Sequence, residues 1–268
     1  MVIMAAPTSA QALYNPLARP IWSKAKDEQI YCCGNAESFN SWSGLNAFVD
    51  QRRFDLVAFD MDGVLVNYTS CWTWVHDHFQ VQNEAAIQAF IDGRIDDMEF
   101  MRRDISLWLR KRPQLCREEL ELILAPLPMN EGIEETIRIL RTNGIRTVIV
   151  SGGLDIVAEK IASRYGFDDW LANGVECDEK GKLTGEGLLR VELKNKRSAL
   201  DQLLAKYGIK GDRVACVGDS FVDIPMFEAC AMSIAFNPTD SMVVEKATHV
   251  VRNKSIKAVL PYILNAEG

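Results

Sequence analysis

The stretch Phe54-Asp55-Leu56-Val57-Ala58-Phe59-Asp60-Met61-Asp62-Gly63-Val64 decides the fold. Its middle is a short apolar run closed by acids, the pattern of a parallel strand buried on both faces. Gly63 allows a sharp turn where the strand ends. Working outward, the pattern returns at Thr147-Val148-Ile149-Val150-Ser151 and at Val214-Ala215-Cys216-Val217-Gly218-Asp219. Met232-Ser233-Ile234-Ala235-Phe236 and Thr248-His249-Val250-Val251 read as two further strands. Helical periodicity fills the gaps over 133–142, 155–165 and 196–207, and these runs stop at Gly144, Gly166 and Gly208. Glycine just past a helix is the usual left-handed cap. The alternation predicts an α/β fold, a doubly wound parallel sheet of Rossmann-like type.

Residues 67–129 break the alternation and read as three or four helices over 70–79, 84–92, 97–111 and 117–124. An insert placed straight after the first strand lies above the carboxyl ends of the strands, where open α/β sheets bind ligands. The expected domains are therefore an α/β core over 54–66 and 130–268 and a small helical cap over 67–129. Residues 178–187, with Gly181 and Gly185, read as a hairpin excursion. Residues 1–53 hold Pro7, Pro16, Pro20 and Gly34 without sustained periodicity, and read as a poorly ordered extension.

Composition narrows the function. The chain has 268 residues, 48% hydrophobic and 25% charged, which excludes wholesale disorder. Thirty basic residues against 37 acidic ones leave a net charge of −7, against the basic face of a nucleic-acid binder. No apolar run approaches roughly 18 residues, so no membrane helix is expected. Residues 1–12 are apolar but lack a basic start, so no secretory signal is expected. The seven cysteines (Cys32, Cys33, Cys71, Cys116, Cys177, Cys216, Cys230) include no Cys-x-x-Cys pair. They read as reduced thiols of a cytoplasmic protein, a monomer or homodimer.

Four segments at strand ends or helix starts carry chemistry. Asp60 and Asp62, two apart on extended backbone, point to one side. Such a pair repels unless a cation neutralises it or one member holds a proton. An oxygen set of this kind suits Mg²⁺. On spacing alone, a solvated turn with two acids fits equally well. Gly218-Asp219-Ser220-Phe221-Val222-Asp223 brings two more acids to another strand end, with Pro225 placed to open the next helix. Asp223 alone could be a helix cap, but parallel strands ending on one edge would converge all four carboxylates in one crevice. Ser151-Gly152-Gly153 offers a hydroxyl and backbone N–H groups at a helix start, an anion site if not a plain cap. Lys196 opens a helix, where a cation is disfavoured by the dipole and a nearby anion would explain it; Lys194 competes for that role. Together these parts suit phosphoryl transfer: a carboxylate attacks phosphorus, a second acid protonates the leaving oxygen, and Mg²⁺, hydroxyl, N–H groups and lysine hold the rest.

The order Asp60-Met61-Asp62-Gly63, Ser151-Gly152-Gly153, Lys196 and Gly218-Asp219-Ser220-x-x-Asp223 resembles the haloacid dehalogenase-like phosphohydrolases. Gly132-Ile133-Glu134-Glu135-Thr136, Val150-Ser151-Gly152-Gly153-Leu154-Asp155-Ile156-Val157 and Gly181-Lys182-Leu183-Thr184-Gly185 are similar to the phosphoserine phosphatase-like branch, in its archaeal-type form. The likeness runs from about residue 54 to residue 260. It implies Asp60 as nucleophile and Asp62 as general acid/base. It also implies Mg²⁺ held by the Asp60 carboxylate, the Asp62 main-chain carbonyl and Asp219, with Asp223 in support. Ser151, Gly152 and Lys196 would bind phosphate, and 67–129 would be the cap that excludes water.

The positions that read phosphoserine in that branch depart here. Its glutamate that meets the amino group falls on Thr69, and its cap arginine falls on Asp104, with Arg102 and Arg103 adjacent. The asparagine usual before the last motif acid is Val222. An anionic Asp104 facing a substrate carboxylate would repel it. Trp72, Val75, His76 and Phe79 share one helical face, expected to be core, while Trp74 and His78 lie on another and are candidates to line the pocket. His76 and His78 diverge on a helix and make a poor metal pair. The expectation is a Mg²⁺-dependent phosphatase for a small, less zwitterionic phosphomonoester. A true phosphoserine phosphatase is the second reading. A phosphoacceptor signalling module is the third, disfavoured because it needs neither Asp62 nor a lid.

Overall fold

A computed structural model describes residues 53–264. The extension expected over 1–53 lies, but for its last residue, outside the described residues. Seven strands form one sheet: β1 (Leu56–Phe59), β2 (Arg146–Leu154), β3 (Asp169–Cys177), β4 (Leu183–Leu188), β5 (Val214–Gly218), β6 (Met232–Phe236) and β7 (His249–Val251). Their order is β4-β3-β2-β1-β5-β6-β7, and every pairing is parallel except β3 with β4. The five expected strands are all present, β2 running three residues further than its apolar core. β3 does not read as a strand because Asn173 and Gly174 interrupt its pattern; the expected hairpin is its antiparallel turn into β4.

The first strand sorts its side chains to two cores. Val57 and Phe59 join the cluster that holds Ile133, Ile137 and Leu140 of α5 (Ile133–Thr142) and Ile156, Val157 and Ile161 of α6 (Asp155–Tyr165). Leu56 and Ala58 join the other, with Leu200 and Leu203 of α7 (Arg197–Tyr207) and Met226 of α8 (Ile224–Phe227). A strand's alternation thus explains why this run is apolar throughout: both faces are covered. Gly144, Gly166 and Gly208 all take positive φ at their helix ends, and Pro225 opens α8.

Between β1 and β2, ahead of α5, stand α1 (Cys71–Phe79), α2 (Glu84–Ile91), α3 (Asp97–Lys111) and α4 (Arg117–Leu124). Ser70 and Asp96 cap α1 and α3 by accepting from Trp72 N at 3.2 Å and Glu99 N at 2.8 Å. Trp72, Val75, Ile105, Trp108 and Leu120 extend the first core cluster into these helices, so insert and sheet share apolar packing. Met101 of α3 fills the space over Gly187 of β4, where a Cβ would come within 2.6 Å of its terminal carbon.

A polar group lies inside the insert. His76 and Asp104 are 4% and 5% exposed, with His76 Nε2 3.1 Å from Asp104 Oδ1 and His76 Nδ1 2.7 Å from the Trp72 carbonyl. Asn83 donates to the same Asp104 oxygen. Burial opposes a charged His76, but the bond and charge of Asp104 and the Trp72 carbonyl outweigh it and raise its pKa. Burial raises that of Asp104, against the pull of His76 and Asn83. Both groups therefore hold protons more tightly folded than unfolded, and their contribution to stability falls as pH rises. The His76 share is complete below its unfolded value near 6.5 and disappears as pH passes its raised folded value. Thermal melts from pH 6 to 8 should show Tm falling more steeply in the wild type than in the His76→Gln/Asp104→Asn double variant; equal slopes would refute the assignment.

Candidate active site

β1 is central, with β2 on one side and β5 on the other, so the crevice opens where the strand order reverses. The register aligns Phe59 with Ile149 and Val217, which brings the ends carrying Asp60, Ser151 and Asp219 to one edge. Asp60 N donates to Val217 O at 2.8 Å, so the first acid leaves the sheet beside β5.

Three carboxylates converge there. One oxygen from each of Asp60, Asp219 and Asp223 lies within 4.8 Å of the others, and all three residues are buried. Lys196, the residue before α7, is 2% exposed and sets Nζ 2.7 Å from Asp60 Oδ1 and 2.7 Å from Asp223 Oδ1. The other Asp223 oxygen accepts from Asp219 N at 2.9 Å and Ser220 N at 3.1 Å, so that loop is tied to its own acid. Asp62 accepts from Cys71 N at 3.0 Å through Oδ2, while its Oδ1 is buried with no partner.

Charge in a dry crevice shapes the titration. Burial lifts the Asp60 pKa to about 7; Lys196 works against that and the Asp223 charge adds to it. Burial lifts Asp62 to about 6, restrained by the Cys71 N–H. Asp219 is driven well above the carboxylate range by burial, then by Asp223 and Asp60. Lys196 is disfavoured by burial, yet the Asp223 and Asp60 charges raise its pKa overall. Four acids face one ammonium, an imbalance that a divalent cation bound by oxygen would remove. The close acidic oxygens and the unpartnered Asp62 Oδ1 fit such an ion.

The Ser151 segment differs from expectation in its geometry. β2 runs on to Leu154 and α6 starts at Asp155, so Ser151-Gly152-Gly153 is not a helix start. Ser151 pairs with Ala172 and Leu154 with Asn173, so Gly152 and Gly153 bulge from the ladder. A bulge re-aims backbone groups at a strand end, which a helix terminus would otherwise do. Ser151 Oγ accepts from Gly153 N at 3.1 Å and so is no helix cap.

Several candidates are relocated. The Lys194 ammonium donates to Phe90 O at 2.6 Å and lies 4.2 Å from that ring's centroid, which leaves Lys196 at the acids. Asp104 sits in the network with His76 and Asn83. Arg102 pairs with Glu186 and Glu99, and Arg103 with Glu99. Thr69 is exposed and Val222 half-buried. Trp74 Nε1 donates to Ile123 O at 2.8 Å, and His78 is exposed against Phe79, so neither engages the acid cluster. Trp72, expected as core, is core, but its Nε1 also donates to Gly152 O at 3.2 Å. Asn173, 0% exposed in β3, donates to Gly152 O at 3.3 Å and to Val191 O at 2.8 Å. Asn173 had a signal, an amide inside an apolar run; the Trp72 contact, across 80 residues, had none.

Known proteins share this fold. The family model for haloacid dehalogenase-like hydrolases matches residues 57–228. The phosphoserine phosphatase of Methanocaldococcus jannaschii is 29% identical over 80% of this chain and 99% of its own length. That of Idiomarina loihiensis is 31% identical over 68% of this chain and 81% of its own. A solved substrate-bound phosphoserine phosphatase complex superposes with a TM-score of 0.67 at 28% identity, over 80% of this chain and 100% of that one. A phospho-aspartyl intermediate analogue of phosphoserine phosphatase gives 0.67 at 29% identity, over 79% and 100%. The chain belongs to the haloacid dehalogenase-like hydrolases, in their phosphoserine phosphatase-like branch. It is a phosphomonoester hydrolase.

Gly63 tests how tightly the crevice is built. It holds φ +81°, and a Cβ there would come within 2.4 Å of Asp219 Oδ2, whereas one on Gly93 (φ +70°) would meet nothing within 4 Å. Both Gly→Ala variants share the backbone strain, roughly 1 kcal/mol or more, but only Gly63→Ala displaces an acid. Urea unfolding and phosphatase assays should show both destabilised and activity lost only in Gly63→Ala.

Proposed function

We propose that this chain is a Mg²⁺-dependent phosphatase that hydrolyses a small phosphomonoester through a phosphorylated Asp60, and that its substrate lacks the phosphoserine zwitterion. The observation that carries the substrate reading is the disposition of Asp104: its carboxylate is spent on His76 and Asn83, and neither neighbouring arginine is released to replace it. A substrate carboxylate would then lack the cap cation that the branch uses.

In this reading Asp60 attacks phosphorus and the bond to the leaving oxygen breaks. Asp62, whose pKa burial lifts to about 6, gives that oxygen its proton. Asp62 then takes a proton from water, whose oxygen attacks phosphorus; the P–O bond to Asp60 breaks, releasing orthophosphate and restoring both acids. Ser151, Gly152 and Lys196 hold the phosphoryl oxygens, and the helices over 67–129 act as a cap that keeps water out. Asp60, the Asp62 main-chain carbonyl and Asp219, supported by Asp223, would hold Mg²⁺, which when bound offsets the phosphoryl charge. A phosphoacceptor module would have no use for a second acid tied to a lid helix through Cys71 N.

The true phosphoserine phosphatase reading keeps support from the relatives, which carry that name. Phosphate release from L-phosphoserine beside sugar, glycerol, aminoalcohol and nucleoside phosphates separates the two. The expected result is a preference for an ester other than phosphoserine, and abolition of turnover by several orders of magnitude in Asp60→Asn without loss of fold. Preference for phosphoserine would overturn the substrate reading; no release from any ester would overturn the phosphatase itself.

Cation binding has its own readout. A ligand that binds only the folded chain stabilises it by about 2.7 kcal/mol at a hundredfold excess over Kd. Adding Mg²⁺ to the EDTA-treated protein should raise Tm, and Asp219→Asn should shrink that rise. An unchanged Tm in the wild type would argue against the ion.

A further inference from the structure

We infer that Trp72 is a positioning residue that sets the Ser151 segment for phosphate only when α1 is docked on the sheet; the inference rests on the phosphatase reading above. The peptide between Gly152 and Gly153 is the joint. Both its flanking residues are glycines, so no side chain limits its rotation. Its carbonyl accepts from Trp72 Nε1 at 3.2 Å and Asn173 Nδ2 at 3.3 Å, and its N–H donates to Ser151 Oγ at 3.1 Å. A hydroxyl that accepts from Gly153 N keeps its own hydrogen to donate to a ligand oxygen. Rotating the peptide would withdraw the N–H and release the hydroxyl from that orientation.

Side chains cannot do this job from within the loop. A Cβ on Gly152 would come within 2.9 Å of Leu193 Cδ2, and one on Gly153 within 2.5 Å of Met61 Cε and 2.7 Å of Asp62 Oδ2. The lock must come from outside, and Asn173 supplies one part from the sheet. The other part comes from the first turn of α1, which makes three such contacts from two residues. Trp72 holds the Gly152 carbonyl, Cys71 N donates to Asp62 Oδ2 at 3.0 Å, and Cys71 Sγ accepts from Leu154 N at 3.0 Å. If α1 leaves the sheet, the Asn173 contact alone remains on the Gly152 carbonyl, and Asp62 loses its Cys71 partner at the same time. The indole itself is fixed by stacking on Trp108 at 5.2 Å and 26° and by the His76 contact to the Trp72 carbonyl.

Trp72→Phe removes the N–H and keeps an aromatic ring in the stack. Orthophosphate binding is read as the inhibition constant of the product, beside KM and kcat on the best ester of the panel. Because the loop grips phosphate before and during reaction, KM and the phosphate Ki should rise together about three- to tenfold, the worth of one hydrogen bond, while kcat stays within about twofold. Trp108→Phe, which keeps an aromatic ring against the indole and leaves the Trp72 N–H, should lower Tm while moving Ki by less than about twofold. If Trp72→Phe is insoluble, benzothienylalanine at position 72, with sulfur in place of N–H, takes the same test. Unchanged KM and Ki in an active Trp72 variant, or equal shifts in the Trp108 variant, would overturn the inference and leave the phosphatase standing. A wild type that turns over no ester would end both.

Discussion

Buried between two carboxylates, the Lys196 ammonium lies 2.7 Å from Asp60 and 2.7 Å from Asp223, and it joins pieces of chain that meet nowhere else in sequence. Asp60 ends the central strand, Asp223 follows β5, and Lys196 precedes α7. Removing one partner from such a group leaves an unpaired buried charge, a loss of about 3–5 kcal/mol. The arrangement nonetheless stays short of neutral, since Asp62 and Asp219 stand beside it with no ammonium of their own. A fold gains no stability from crowding four acids at one edge; the excess negative charge fits a seat for a cation.

Two levels of the structure were legible in the sequence to different depths. Strands buried on both faces betray themselves by apolar runs, and helix ends by their glycines, so β1, β2, β5, β6 and β7 and the limits of α5 and α6 could be read locally. β3 could not, because its inward Asn173 serves as a hydrogen-bond hub and erases the pattern. The acids were legible because parallel topology alone forces strand ends to converge. The Ser151 segment was expected at a helix start and is instead a strand bulge, which single-sequence periodicity does not record.

Contacts between the insert and the sheet were the least legible. Asp104, Arg102 and Arg103 are neighbours in sequence, yet a helix separates them by about 100° per residue, so one turns inward to His76 while the others reach Glu99 and Glu186 at the surface. Whether a side chain faces the crevice depends on how the four helices are rotated on the sheet. That rotation is set by apolar packing over Trp72, Met101, Ile105 and Trp108, not by any motif.

The departure at position 104 is therefore not an isolated loss. An aspartate pointing at a phosphoryl dianion would weaken its binding through repulsion in a low-dielectric crevice. His76 and Asn83 both reach the same Asp104 oxygen, and His76 also contacts the Trp72 carbonyl. The acid is compensated inside the insert, and the residue that compensates it also steadies the helix turn whose tryptophan meets the Gly152 carbonyl. Asp104 is thereby part of the frame behind the Trp72 contact to the Gly152 carbonyl. In the proposed reading, discrimination between esters would fall to the shape of the crevice and not to a cation for a substrate carboxylate.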